Sequence, residues 1–403
     1  IFARNITDID DKILKKMAET NQSLDELTTF YTQRFRAEMA EIGCQNPDIE
    51  PKATEAIDKM IEIIELLLKN GAAYQLSNGD VYFDSQSDKE YLSISGRKES
   101  DDSQSRIEHN DGKKRAADFA LWKRADEGVV FESPFGAGRP GWHLECSAII
   151  KKYLADDGEY QIDIHGGGAD LLFPHHENEA AQTRMAYGVK LANFWLHNGF
   201  VNIDGEKMSK SLGNSFFLKD AIAAYGGEVI RNYLLQTHYR SDFNFNEIDL
   251  LSSKKRLDKI YRLKKRVEVE AISEADGEFK KEILDALSDD LNIAEALSAL
   301  EKMISNANEA LDKNPKDRVL KAKIGANIVF VYLLLGIGDK NTESYFQSGV
   351  NENDRIKIED LILKRTEVKK AKDFKTADLI RDELLNMGIS LMDAPNKTIW
   401  EKI

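Results

Sequence analysis

Two lysines in the run Lys207-Met208-Ser209-Lys210-Ser211 stand among small hydroxyl residues, with Gly205 and Gly213 on either side. A loop of this composition can close on a triphosphate. The ammonium groups offset charge as pyrophosphate leaves, and serines and backbone N–H groups add donors. A bare Lys-x-x-Lys reads as a solvated basic turn. The full pentapeptide, followed by Leu212-Gly213-Asn214 and preceded by His197-Asn198-Gly199-Phe200, is far more specific.

Upstream, His165-Gly166-Gly167-Gly168-Ala169-Asp170 offers a backbone that a flat or charged ligand can approach, with a carboxylate just beyond that can accept from ribose hydroxyls. Alone, a triple glycine is equally a tight turn. In Pro174-His175-His176-Glu177-Asn178-Glu179, proline fits a first helical turn, which sets His175 and Glu179 at i and i+4 on one face. That spacing lets an imidazole and a carboxylate share a metal, and it also suits a surface hydrogen-bonded pair. His176 faces elsewhere. Cys146, in Gly141-Trp142-His143-Leu144-Glu145-Cys146, supplies a thiolate, and Cys, His and Glu together are zinc-compatible.

These segments need strands that deliver loops at their C-terminal ends. Tyr160–Ile164 reads as such a strand, and five of the seven histidines fall between Pro134 and Asn214. Before it, Ile1 to Ile13 reads as a short strand with an acidic turn. Ile61 to Leu68 has helical periodicity, and Gly79 to Phe83 is a turn entering a strand. Residues 96–114 form a polar loop of an inserted subdomain. Beyond Asp249 the chain is helical to Gly336. A polar linker at Asp339–Asp354 then precedes a small terminal unit ending in Trp400.

The 403 residues suffice for two or three domains, and no run of 18 apolar residues predicts a membrane span. Two cysteines, Cys44 and Cys146, exclude a disulfide scaffold and fit a reducing cytoplasm. A net charge of −14 argues against indiscriminate nucleic-acid binding, although eight basic residues crowd Lys254 to Arg266. Leu257, Ile260, Tyr261 and Leu263 lie near helical spacing within that run. A solvated amphipathic helix is the plain reading, and phosphate contact is the functional one.

The lysine loop resembles the signature of class I aminoacyl-tRNA synthetases. Gly-Trp-His-Leu-Glu-Cys-Ser-Ala, Ile-His-Gly-Gly-Gly-Ala-Asp and Phe-Pro-His-His-Glu-Asn-Glu, with Arg4 to Lys12 at the start, narrow the resemblance to the cysteinyl-tRNA synthetases, over essentially the whole chain. The resemblance implies an α/β Rossmann-like class I core over 1–248, lacking its N-terminal part, with an inserted subdomain at about 30–125. A tRNA-contacting helical bundle over 249–340 and a small anticodon-binding unit over 355–403 complete it.

The implied chemistry is ATP-dependent activation of L-cysteine and transfer to tRNA(Cys), with Mg2+ accompanying ATP, in a cytoplasmic monomer. Lys210 contacts the ATP phosphates with Lys207 assisting. Ser209 and Ser211 belong to the same loop, and Gly167, Gly168 and Asp170 lie against the adenosine. Cys146, His175 and Glu179 align with three protein ligands of one Zn2+. Zinc prefers a soft thiolate to an alcohol, whereas a hydrophobic pocket separates such small changes by only ~1–3 kcal/mol. Thr7, Trp142, His143 and His165 align with positions around the bound amino acid, and Phe374, Asp378 and Asp393 with the anticodon contacts.

Family members also carry a fourth ligand, a cysteine on the first strand, and a His-Ile-Gly-His nucleotide signature. Neither is among these residues, and Cys44 is incidental rather than a substitute ligand. Either a leading segment precedes Ile1 or the chain is truncated, and the 403 residues by themselves are expected not to form adenylate. Two other readings stand beside this one. A cysteine ligase acting on an amino sugar shares the core but lacks a terminal unit such as Lys364–Ile403, and a non-catalytic tRNA-binding module would leave the metal residues unexplained.

Overall fold

Asp10 caps the first helix, α1 (Asp11–Thr20), its carboxylate accepting from the Ile13 amide at 2.7 Å. That cap cuts short the strand expected over Ile1 to Ile13. Only two isolated bridges form there, from Ala3 and Ile6 to Ile49 and Lys52. The computed structural model describes residues 1–98, 112–156, 158–203, 206–207, 217–267, 274–393 and 397–402, with the backbone alone at 206–207. Most of the polar loop expected at 96–114, and the lysine loop from Met208 onward, lie outside the described residues.

The chain divides into two compact units, the first comprising 1–37, 45–200 and 240–242 and the second 38–44, 201–239 and 243–403. In the first unit, α2 (Leu24–Glu41) is followed by α3 (Ile57–Lys69), whose Met60, Ile63, Ile64 and Leu67 recur at three- and four-residue spacing and are buried. A four-stranded antiparallel sheet comes next, with β1 (Ala73–Gln75), β2 (Val81–Phe83), β3 (Phe119–Arg124) and β4 (Gly138–Pro140) in spatial sequence. Gly79, at φ +96°, makes the turn into β2.

Then α4 (Trp142–Tyr153), β5 (Tyr160–Gly168), α5 (Glu177–Tyr187) and β6 (Lys190–Asn198) build a parallel β–α–β unit. Ile63, Leu67, Phe83, Trp122 and Leu144 share one core among α3, the sheet and α4. The parallel register sets His165 opposite Trp195 and Gly167 opposite His197. Both histidines therefore emerge at the C-terminal end of the strand pair, where α/β proteins place their loops.

In the second unit β7 (Val201–Ile203) pairs with β8 (Glu206–Lys207) and β9 (Phe243–Phe245). Between β8 and β9 lie α6 (Leu218–Tyr225) and α7 (Gly227–Leu234). A helical bundle follows, of α8 (Glu247–Val267), α9 (Gly277–Ser288), α10 (Ile293–Lys313) and α11 (Arg318–Leu335). Asp276, Asn292 and Asp317 cap the last three through side-chain oxygens. One apolar cluster unites Leu257, Ile260, Ile283, Leu300 and Ile328.

The polar linker expected at Asp339–Asp354 contains a short helix, α12 (Thr342–Phe346), whose Tyr345 and Phe346 are buried. The terminal element pairs α13 (Glu352–Lys370) and α14 (Phe374–Asn386) with a two-stranded hairpin, β10 (Ile389–Asp393) and β11 (Thr398–Lys402). Trp400 lies in its small core with Ile358, Leu361, Leu384 and Ile389. Among the described residues no helix is long and apolar enough to cross a membrane.

Candidate metal centre

Helix α5 reverses the usual pattern of a helix in a core. Glu177, Asn178, Glu179, Gln182 and Thr183 are all buried polar residues on it. Such a helix is stable only if those groups find partners. Glu177 accepts from the Ile94 and Ser95 amides at 3.1 and 2.9 Å, and Asn178 accepts from the Tyr91 hydroxyl at 2.7 Å. Arg184 grips Asp88 through Nε and Nη2 at 3.0 and 2.6 Å. Residues 88–95 thus bolt α5 in place. Sequence reasoning misses this role, because nothing local to 88–95 advertises the helix they hold.

Three α5 side chains, Gln182, Glu177 and Glu179, keep buried atoms with no hydrogen bond among the described residues, and the one with other ligand atoms converging on it is Glu179. Its Oε2 meets His165 Nε2 at 3.0 Å, a normal hydrogen bond. Its Oε1 lies 2.8 Å from His175 Nε2, yet the pair does not align as a hydrogen bond, and Oε1 has no such partner among the described residues. Two ligand-type atoms brought this close in a buried site are placed to act as co-ligands of one cation. Cys146, on α4, supplies the third, with all three ligand atoms within 4.8 Å of one another. His175 sits in the turn before α5 rather than in its first turn, but the i and i+4 relation to Glu179 holds. His165, His176 and Glu179 form a second convergent set that shares the same carboxylate.

Electrostatics around these donors fits a cation. Burial pushes the Cys146 thiol well above its usual range, and the charges of Glu179 and Glu145 push it further. Burial also works to raise Glu179, but the His165 and His175 imidazoles outweigh it and hold the carboxyl well below the usual range. Burial, with the His175 ring beside it, lowers His143 to about 3. His176 is lowered to about 3 as well, chiefly by burial and then by the neighbouring imidazoles, against a pull upward from Glu179. These rings stay neutral at ordinary pH. The buried thiol and the orphaned carboxylate oxygen lack only a positive charge, and a sulfur–nitrogen–oxygen donor set suits zinc.

Three of the four expected substrate-contacting residues lie beside this centre. Trp142, about half exposed, stacks on His175 with ring centroids 4.3 Å apart. His143 Nδ1 lies 2.9 Å from His175 Nδ1. His165 binds Glu179 directly, which makes it a support for a ligand. Thr7 is partly buried. A cavity of about 730 Å3 opens beside Trp142 and His143, with Arg97, Lys123 and Arg139 among the cations on its wall. Glu145, also on that wall, is raised to about 8 by burial and by the Asp8 and Asp10 charges. His176 Nδ1 pairs with His197 Nε2 at 2.8 Å beneath the centre. The histidine cluster between 134 and 214 signals this in sequence, but only the β5–β6 register joins these two.

At the end of β5, a side chain on Gly167 would meet His176 Cε1 at 2.9 Å, and one on Gly168 would meet Asp170 Oδ1 at 2.4 Å. At Gly167 the neighbour is a buried histidine ring with little room to give, whereas at Gly168 it is the tip of the Asp170 side chain, which can swing away. Asp170 itself is exposed. Lys207 lies on β8 in the second unit, paired with Asn202, and Ser209, Lys210 and Ser211 lie outside the described residues. In the terminal element Phe374 is 61% exposed and Asp378 is exposed one turn along α14. Asp393 is already engaged. It accepts from Arg365 Nη1 and Nη2 at 2.8 and 3.1 Å and from Lys369 at 2.8 Å. Those bonds hold its carboxyl far below the usual range.

Comparison with known proteins gives this geometry a context. Residues 1–255 match the model of the class I (C) tRNA synthetase catalytic domain, and residues 282–337 match the DALR domain. The chain is 58% identical over 404 residues to a cysteine--tRNA ligase of a Sulfurovum species, covering all of this chain and 87% of that protein. It is 60% identical over 405 residues to one of a Nitratiruptor species, with the same coverage. A cysteine--tRNA ligase of Helicobacter pylori is 54% identical, again over all of this chain and 87% of its own length. Among solved structures, Mycobacterium tuberculosis methionyl-tRNA synthetase in complex with methionyl-adenylate superposes with a TM-score of 0.59. It is 13% identical and covered over 83% of each chain, a likeness of fold.

Proposed function

The chain belongs to the class I tRNA synthetases of the cysteine--tRNA ligase family, and from that membership we propose that it joins L-cysteine to ATP and passes the cysteinyl group to tRNA(Cys). The observation that carries the reading is the convergence of Cys146, His175 and Glu179 in a buried site, with Glu179 Oε1 2.8 Å from His175 Nε2. These three residues would hold one Zn2+, whose chemistry when bound would be to take a soft sulfur in preference to a hydroxyl, and so to separate cysteine from serine.

The remaining residues bind, orient and exclude. His165 fixes the ligating carboxylate through its 3.0 Å hydrogen bond, and His143 backs His175 at 2.9 Å. Trp142 and Thr7 frame the amino acid. Gly167 and Gly168 let adenosine lie on the strand end, and Asp170 accepts from its ribose. Lys207 and Lys210, with Ser209 and Ser211, meet the Mg2+-accompanied triphosphate. The cysteine carboxylate attacks the α-phosphorus, the bond to pyrophosphate breaks, and the lysines offset the departing charge. A hydroxyl of the terminal tRNA ribose then displaces AMP from the cysteinyl carbonyl. No side chain acts as covalent nucleophile, so positioning carries the rate.

In the terminal element, Phe374 offers a face for an unpaired base and Asp378 accepts from base amino groups. Asp393 acts there mainly by presenting Arg365 and Lys369. The enzyme works as a cytoplasmic monomer. Cobalt in place of zinc tests the reading. Added cysteine, and not serine, is expected to intensify a thiolate-to-cobalt charge-transfer band. Equal response to serine, or no metal retained, would overturn it.

A further inference from the structure

The basic run Lys254 to Arg266, which invites a reading as a phosphate track, lies on α8, and most of it is already engaged within the second unit. Lys254 pairs with Asp258 at 3.4 Å and Lys259 with Glu301 at 2.8 Å. Lys264 Nζ donates to the carbonyls of Gly338, Asp339 and Lys340 at 2.7, 2.8 and 3.0 Å, tying down the exit of α11. Arg266 binds Asn308 at 2.5 Å and Asp312 at 2.6 Å. Lys265 reaches Glu401 on β11 at 2.7 Å, and Arg262 lies 3.8 Å from the same carboxylate. Only Lys255 and Arg256 have no partner among the described residues.

Glu401 is the telling partner, because it belongs to the terminal element and is 9% exposed. That element has a small core and a two-stranded hairpin, and a hairpin of two strands is marginal unless it packs on something. Beside the Lys265–Glu401 pair, α12 makes a second attachment. Tyr345 stacks on Tyr261 of α8, with centroids 3.7 Å apart and planes at 11°. The Tyr345 hydroxyl donates to Asp258 at 2.7 Å, and the Tyr261 hydroxyl donates to Glu228 at 2.7 Å. Arg262 lies over the Phe346 ring, 5.1 Å from its centroid. Gln347 Nε2 and Lys402 Nζ then lace the end of α12 to β11, at 3.4 Å to the Trp400 carbonyl and 2.8 Å to the Gly349 carbonyl.

We infer that Lys265 and Glu401, with the Tyr261–Tyr345 stack, form a clamp that fixes the terminal element on the bundle, so that this stretch of α8 positions the anticodon reader and does not itself grip phosphates. The inference rests on the proposed function only in taking tRNA(Cys) as the ligand. These are positioning residues. Half-buried ion pairs of this kind are sensitive to loss of one partner, since the other charge is then left in a poor environment.

A charge swap in the full chain separates the two roles. Amide exchange over β10 and β11 is expected to quicken about tenfold in Lys265→Glu and in Glu401→Lys, and to return to within about threefold of the parent in the double variant. Affinity for a tRNA(Cys) transcript follows the same pattern, with the salt dependence of the double variant unchanged. Tyr345→Phe, which alters no charge, quickens the same exchange and leaves the salt slope alone. The inference is overturned if Lys265→Glu lowers affinity and salt slope with no rescue by Glu401→Lys, or if terminal exchange is unmoved in every variant. A chain that binds no tRNA overturns the proposed function instead, while the exchange measurement still decides the clamp.

Discussion

Helices α5 and α8 both carry many polar side chains, and they use them in opposite ways. On α8 six of the eight basic residues between Lys254 and Arg266 end on a partner named above. On α5 the polar residues are buried, and the central one, Glu179, keeps an oxygen with no hydrogen bond. Charge in quantity, once neutralised, is scaffold. A buried carboxylate oxygen without a hydrogen bond, next to a thiol and an imidazole, is a place suited to a cation. The contrast makes unmet valence a better guide to chemistry than charge density.

The largest effect that would break this contrast is at Glu179. Glu179→Gln removes the charge and a donor, and zinc affinity is expected to fall by more than about 100-fold in competition with a chromophoric chelator. His165→Ala removes only the hydrogen bond that orients that carboxylate, and a loss of about 10- to 100-fold is expected with one site retained. An unchanged affinity in either variant would place the metal elsewhere.

Acid should expose the same region. His143 and His176 titrate at about 3 in the folded, metal-free protein, below the ordinary 6.5. Between those values the unfolded chain holds more protons than the folded one, so stability falls as pH drops from about 6.5 toward 3. Denaturation midpoints of the apo-protein across that window measure it, and a flat profile would show that the rings are not desolvated. The α8 region is expected to respond to mutation, not to acid. Tyr261→Phe leaves the buried Glu228 carboxylate short of a donor, at a cost of ~1–3 kcal/mol in chemical denaturation.

The smallest effect sharpens the comparison. Replacing Lys255 and Arg256 together by alanine should leave folding intact and reduce the salt slope of tRNA binding by about one for each residue that touches a phosphate. A fall when Lys264 or Lys265 is changed, and none here, would reverse the assignment of roles on α8.

Much of the centre is legible in the sequence alone. Residue chemistry and i, i+4 spacing single out Cys146, His175 and Glu179 as candidates, the family resemblance implies that they act together, and the strand at Tyr160 follows from its run ending in glycines. What escapes depends on distance along the chain. The His176–His197 pair needs the parallel register of β5 and β6. The anchoring of α5 needs Asp88 and Tyr91, which are remote from it in sequence. The engagement of α8 needs Glu401 and the carbonyls after α11. Helix α12 leaves no periodic signal, because five residues are too few and its two buried aromatics sit in a polar stretch. The opening strand is shorter than its apolar residues suggest because Asp10, which reads as part of an acidic turn, is a helix cap.

The stacked phenols of Tyr261 and Tyr345 have one more consequence. Two aromatic rings this close and nearly parallel couple their electronic transitions, and a chiral fold gives such a pair its own near-ultraviolet circular dichroism. Burial first, then the carboxylates of Glu228 and Asp258, hold both hydroxyls above the usual tyrosine range. The signal should therefore outlast the ionisation of exposed tyrosines in alkali. It offers an unlabelled optical readout of whether the tail of the molecule is seated.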